Sequence, residues 1–293
     1  MHTNRTMIRL LAYMSLLCVS THVLAQPASE IYLFDLKIKK DKITISNGKN
    51  ITNHQGYDNQ PFFHTSEPLI YYTQADTSGR TDIIAYDYSK NFTKKITETS
   101  EREYSPTLTP DGKFLSCIIQ RDDGVQDLGK YPVAGGVPVV LIDNLKVGYH
   151  AWVNSTDLIL FVLGEPNTLR WYSISNKKDT IIAGNIGRSL HKIPKSEDMS
   201  FVDKSADGWL IKKLVTKTKS ISNITTSLPG REDLSWTPDG KIIMSDGEKL
   251  YYFHPGSSDA WKEVEGMSTL KLKGITRLSV NKKGNKIAIV AAE

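Results

Sequence analysis

Few side chains capable of covalent chemistry stand in this sequence at the spacing that chemistry requires. The string closest to a nucleophile elbow is Gly187-Arg188-Ser189-Leu190-His191. That motif needs Gly-x-Ser-x-Gly on a strand-turn-helix, and here the second glycine is missing and the surroundings read as strands. Ser205-Ala206-Asp207-Gly208-Trp209 is a shortened Asp-box, but it occurs once, and a plain hairpin with a packed tryptophan explains it. Arg121-Asp122-Asp123-Gly124-Val125-Gln126-Asp127 offers oxygen donors without the full pattern of a calcium loop, so an acidic surface turn accounts for it. His150 and His191 have no ligand spacing in sequence, yet they occupy the same place in successive repeats. A repeat fold that brings them together would make them candidate ligands for a channel divalent metal. The plainer expectation is one histidine lining a wet channel and another hydrogen-bonded between repeats, with no cofactor.

The elements that must position these residues are short. Runs rich in Val, Ile, Tyr, Phe and Thr alternate with Asp-Gly, Asn-Gly and Pro-containing turns, and long helical patterns are absent. Lys49-Asn50-Ile51-Thr52, followed by Pro61, repeats 45 residues later as Lys94-Lys95-Ile96-Thr97, followed by Pro106. Glu30-Ile31-Tyr32 matches Asp82-Ile83-Ile84, and Thr109-Pro110-Asp111-Gly112-Lys113 matches Thr237-Pro238-Asp239-Gly240-Lys241. Aligning the turns puts equivalent strand starts at Pro61, Pro106, His150, His191, Leu234 and Leu278, at intervals of 45, 44, 41, 43 and 44 residues. Such a period, with four strands per unit, marks a propeller blade. The sequence therefore predicts an all-β, six-bladed β-propeller of four-stranded blades. The last unit ends too early, and the front of the chain has a surplus third and fourth strand. The N-terminal strands are thus expected to complete the C-terminal blade, which removes two exposed sheet edges.

These repeats resemble those of the TolB-like propeller family, in which an S-P-D-G-K-like hairpin leads through an apolar strand to an I-Y-x-x-D strand. The likeness covers Ser29 to Glu293 and is most specific at the two T-P-D-G-K turns, the two K-x-I-T segments and Tyr131-Pro132-Val133-Ala134-Gly135-Gly136. It departs from TolB itself, which carries a separate α/β domain ahead of its propeller. The resemblance implies a fold and a habit of binding other molecules; it names no task.

The N-terminus sets the expected compartment. Arg5 and Arg9 precede an apolar run, Leu10 to Val19, and Val23-Leu24-Ala25 offers a cleavage site, the order of a secretory signal peptide over 1–25. Leu17 stands where a lipoprotein signal ahead of Cys18 wants a small residue. The mature chain, 26–293, then reads as a single propeller domain, periplasmic or secreted. Losing Arg5 and Arg9 lowers the formal net charge from +5 to +3, too balanced to argue for nucleic acid. No later stretch reads as a membrane span. Cys117 becomes the only cysteine, so an internal disulfide is excluded.

In a propeller, residues just ahead of the innermost strands gather at one mouth of the channel. Here they include Tyr57, Asp58 and Asn59; Arg102, Glu103 and Tyr104; Tyr149; Arg188; Arg231, Glu232 and Asp233; and Arg277. Arginine and tyrosine are the side chains most enriched at binding hot spots, although Arg-Glu neighbours on exposed loops also satisfy each other. The expectation is a monomeric binding or scaffold protein, not an enzyme. It would engage an envelope protein, an acidic peptide or another anionic ligand through Tyr57, Arg102, Glu103, Tyr104, Tyr149, Arg188, Arg231, Glu232 and Arg277. The alternative is a propeller hydrolase, lactonase-like or glycan-cleaving, using a metal held by His150 and His191.

Overall fold

Each T-P-D-G-K turn is closed by its own threonine. Thr109 Oγ1 donates to Asp111 Oδ1 at 2.6 Å and accepts the Phe114 N–H at 3.1 Å; Thr237 does the same with Asp239 at 2.6 Å and the Lys241 N–H at 2.9 Å. The glycine that follows takes a φ of 69° at Gly112 and 96° at Gly240, the left-handed region that a β-branched residue enters only with strain. These turns join the first strand of a blade to the second, as the repeat predicts.

The computed structural model describes residues 26–40, 42–267 and 270–293. The expected leader, 1–25, and with it Cys18, lies outside the described residues. Within them the chain forms six four-stranded antiparallel sheets and no α-helix. The first strands of the sheets are Asp58–Phe63, Arg102–Leu108, Val147–Trp152, His191–Lys192, Leu234–Trp236 and Leu278–Val280. Each falls on an aligned repeat start. The last sheet takes two strands from each end of the chain: Leu278–Val280, Lys286–Ala292, Ser29–Lys39 and Lys42–Asn50, in that order. Ile31 pairs with Val290 and Leu33 with Ala288 across the junction. The protein is a six-bladed β-propeller closed by its N-terminal strands. No helix among the described residues is long and apolar enough to cross a membrane.

The core lies between blades. At the seam between the closing blade and the first blade, Ile31, Leu33 and Val290 pack on Ile70, Tyr72 and Ile84. At the next seam, Tyr71, Ile83 and Ala85 meet Leu115, Ile119 and Tyr131, with Cys117 buried among them as a small apolar residue. The other four seams follow the same scheme. The inner strands of a blade thus face a seam on both sides, and the sequence shows near-continuous apolar runs such as Leu158 to Val162, all buried, whereas outermost strands such as Phe92–Lys95 are exposed.

Polar bonds fix the angle between blades. Trp152 Nε1 donates to Ser116 Oγ of the preceding blade at 2.9 Å, and Trp236 Nε1 donates to Ser200 Oγ at 2.9 Å. A second set runs around the innermost strands. The Ser105 N–H donates to Gln60 Oε1 at 2.6 Å, Leu234 N–H to Ser189 Oγ at 3.2 Å, and Val280 N–H to Ser235 Oγ at 3.0 Å. Each joins residues 45 positions apart. The sequence period is therefore also a hydrogen-bonding period.

Candidate functional site

The mouth of the channel is built from residues at or just before the innermost strands. Tyr57, Tyr104 and Tyr149, from the first three blades, line one cavity of about 390 Å³ together with Arg188 and Arg277, from the fourth and last blades. Gln60 joins them. It holds a φ of 59° immediately before Pro61, as Ser105 holds 57° before Pro106, and both sit at an irregularity in the strand register. That bulge turns the Gln60 side chain toward the mouth.

Asp233 organises the cationic side. Arg188 grips it in a fork, Nε to Oδ1 at 3.0 Å and Nη2 to Oδ2 at 2.6 Å. Arg277 Nη1 lies 3.8 Å from the same Oδ1. Burial alone would raise the Asp233 carboxyl, but the two arginines hold it below its usual range. Burial likewise works against the charge of Arg188, and Asp233 more than restores it. Arg277 also stacks on Tyr149, 4.7 Å from guanidinium carbon to ring centroid, and donates from Nη2 to Tyr149 Oη at 2.5 Å. Tyr149 is braced in turn by an edge contact with Phe161 at 5.7 Å. Gly187 makes room for this arrangement: a β-carbon there would stand 2.6 Å from Glu232 Oε2, which accepts the Arg188 N–H at 2.9 Å.

The remaining expected residues lie elsewhere. Glu103 is fully buried and turns away from Tyr104, as neighbours on a strand must. It accepts hydrogen bonds from Thr99 at 2.6 Å and Tyr131 at 2.8 Å in the seam between the first two blades, where burial raises its carboxyl. Arg102 reaches outward to Asp122 at 2.8 Å. Arg231 and Glu232 line a smaller neighbouring cavity of about 110 Å³, shared with Arg188. Arg231 donates there to the Asp246 carbonyl, and Glu232 lies 3.7 Å from Lys204. Arg102 and Arg231, both expected at the mouth, are each held by a local partner.

The two histidines are held separately. His150 Nε2 bonds Ser116 Oγ at 2.7 Å and His191 Nε2 bonds Ser189 Oγ at 2.9 Å. Burial lowers His150 to about 3 and His191 to about 4, so both rings are neutral at pH 7. Ser116 already accepts from Trp152 and donates to the Thr107 carbonyl at 3.0 Å. It therefore accepts from His150, whose proton is on Nε2. Among the described residues no three His, Cys, Asp or Glu side chains converge on a metal-sized site. Arg121 pairs with Asp127 across its hairpin, which accounts for part of that acidic turn.

Gln60 and Asp233 are the mouth residues whose importance the spacing of arginines and tyrosines does not reveal. The signal for Gln60 is the recurrence of a polar residue before proline at Gln60-Pro61 and Ser105-Pro106.

No protein-family model and no curated protein sequence matches the chain. Solved structures do. A putative TolB from Agrobacterium tumefaciens superposes with a TM-score of 0.69 at 14% identity, over 92% of this chain and 99% of that one. The fold is that of a TolB-like propeller. TolB from Acinetobacter baumannii superposes with a TM-score of 0.59 at 12% identity, over 90% of this chain and 65% of that one. An oligogalacturonate lyase in complex with manganese superposes with 0.56 at 11% identity, over 86% and 83%. At such identities the likeness shows the architecture alone, which in the TolB-like propeller and in the lyase carries different tasks.

Proposed function

We propose that this TolB-like propeller is an exported, periplasmic binding protein that engages an envelope protein or an anionic ligand at the channel mouth. The observation that carries this reading is the convergence of Tyr57, Tyr104, Tyr149, Arg188 and Arg277, from five different blades, on one cavity. Its volume lies in the range of ligand pockets. Rigid aromatic faces and forked cations are the side chains that anchor partners at low entropic cost. The basic start and apolar run of residues 1–25 support export. Ser116 and Ser189, each holding one of the two channel histidines, favour a binding role over a metal-dependent hydrolase.

The test is affinity capture from an envelope fraction with the mature chain and with a Tyr104→Ala variant, which removes an aromatic face of the mouth and leaves the Arg188–Asp233 pair intact. Loss of the captured partner, with a melting temperature within a few degrees of the parent, is the expected result. Undiminished capture places the binding surface elsewhere on the propeller.

A further inference from the structure

The Tyr57 side chain is 7% exposed, and its hydroxyl makes no hydrogen bond among the described residues although it borders the mouth cavity. The hydroxyl is open to the cavity, where a ligand can supply the acceptor that the protein does not. Burial drives the Tyr57 phenol well above its ordinary value, with Arg277 and Arg188 opposing the rise. It is therefore a donor within electrostatic reach of two guanidinium groups.

The other cavity groups are biased the same way. Gln60 Oε1 accepts from Thr73 Oγ1 at 2.9 Å and from the Ser105 N–H at 2.6 Å, which leaves its amide N–H groups to face the cavity. The Tyr149 oxygen is taken by Arg277, so its own proton remains to donate. Arg188 spends Nε and Nη2 on Asp233, leaving Nη1. Gln126 goes the other way: its Nε2 donates to the Val147 carbonyl at 3.2 Å, and its carbonyl is left for a donor elsewhere on a ligand. Charge sets the valence. Arg188, Arg277 and Lys204 against Asp233 and Glu232 leave one net positive charge at the mouth, with Glu232 shared between Arg188 at 3.9 Å and Lys204 at 3.7 Å.

We propose that the mouth recognises a single carboxylate, held by the Tyr57 hydroxyl, the Gln60 amide and the free N–H groups of Arg188 and Arg277, with the flat body that bears it lying on Tyr104. This rests on the mouth being the binding site and names the chemistry it selects. One positive charge and several neutral donors match a monoanion and under-compensate a phosphate dianion. The carboxylate belongs either to a small free acid or to an acidic side chain of a partner.

The experiment is titration of the full mature chain, followed by NMR of its tyrosine and arginine side-chain signals. The probes are benzoate, benzamide, benzylamine and phenyl phosphate, together with an end-capped peptide containing one aspartate. Benzoate should saturate and move the Tyr57, Tyr104 and Arg277 signals, while benzamide and benzylamine leave them in place. Tyr57→Phe should weaken benzoate about tenfold or more, the share of one hydrogen bond to a charged group. A melting temperature close to the parent's would separate that loss from misfolding. Tighter binding of the peptide than of benzoate assigns the carboxylate to a protein partner, and the reverse to a small acid; both uphold the proposal. Benzamide or phenyl phosphate binding as tightly as benzoate overturns it. If benzoate leaves the mouth unmoved while the Tyr104→Ala variant still loses its captured partner, the mouth stands as the binding site and the carboxylate assignment falls.

Discussion

The hydroxyl of Thr97 accepts the backbone N–H of Ile83 at 2.8 Å, from one strand end to the start of its neighbour. Thr52 does the same for Ile31 at 3.0 Å. Each threonine also donates toward the acid that precedes the isoleucine: Thr97 lies 3.3 Å from Asp82 Oδ1, and Thr52 bonds Glu30. The recurrence of K-x-I-T with an upstream acid-isoleucine pair is thus one local bond made twice. Its acids lie near those of the next innermost strand, since Thr97 Oγ1 is also 3.2 Å from Glu103 Oε2.

Replacing that hydroxyl by a methyl group tests the reading. Thr97→Val keeps the shape, leaves the Ile83 N–H without its acceptor and removes the one hydroxyl proton that lies between the buried carboxylates of Asp82 and Glu103. An unsatisfied buried donor costs about 1–3 kcal/mol, so chemical denaturation should show a loss in that range. Thr93→Val, on the exposed outer strand of the same blade, should change stability by less than about 0.5 kcal/mol.

Closure of the ring makes the N-terminal strands part of the core. Ser29–Lys39 lies between Lys42–Asn50 and Lys286–Ala292, and contributes Ile31 and Leu33 to one seam and Phe34 and Leu36 to the other. Deleting residues 26–47 should unfold the whole protein, visible as loss of the cooperative thermal transition. The entropic cost of closing so long a loop rises by only about 0.6 kcal/mol per doubling of length, so the buried strands outweigh it. A truncated chain that melts within a few degrees of the parent would show that the blade closes without them.

The fold was legible because each blade solves the same local problem with the same residues. Asp111-Gly112 and Asp239-Gly240 close hairpins, the prolines mark the bulged inner strands, and the period survives even where Lys195-Ser196-Glu197-Asp198 replaces the usual turn, with Lys195 taking a φ of 59° in place of glycine. The mouth was legible only in part. Position before an innermost strand places a residue near the channel, but strand alternation and local pairing decide where its side chain goes. Tyr104 faces the cavity and Glu103, one residue away, is lost in a seam. Arg188 and Arg277 converge because Asp233 lies between them, whereas Arg102 finds Asp122 and Arg231 finds a carbonyl first. Such choices depend on contacts between blades that the spacing within one blade does not encode.

Two buried groups give stability opposite dependences on pH. Asp58 has no exposed surface; it accepts from Gln74 Nε2 at 2.8 Å and lies 3.3 Å from His54 Nδ1. Burial pushes its carboxyl up to about 6. The folded state therefore holds that proton more tightly than the unfolded chain does, and the stability gained is present at low pH and lost as pH rises through about 6. His150, lowered by burial to about 3, behaves in the opposite sense. Its contribution is complete above the ordinary histidine value and is lost as pH falls from about 6.5 toward 3. At pH 5 the unfolded chain has taken up a proton that buried His150 refuses, a loss of up to about 2 kcal/mol relative to pH 7. His191, lowered to about 4, adds to it, so the histidines outweigh Asp58 and the protein should melt lower at pH 5 than at pH 7. His150→Gln keeps a donor toward Ser116 and should shrink that difference. Asp58→Asn should raise stability at pH 7.5 by about 1–3 kcal/mol and enlarge the drop on acidification, because the compensating proton uptake is gone. Denaturant titrations of the three proteins at pH 5 and 7.5 measure both signs. An Asp58→Asn variant less stable than the parent at pH 7.5 would mean that the His54–Asp58 contact more than offsets the burial of the carboxylate.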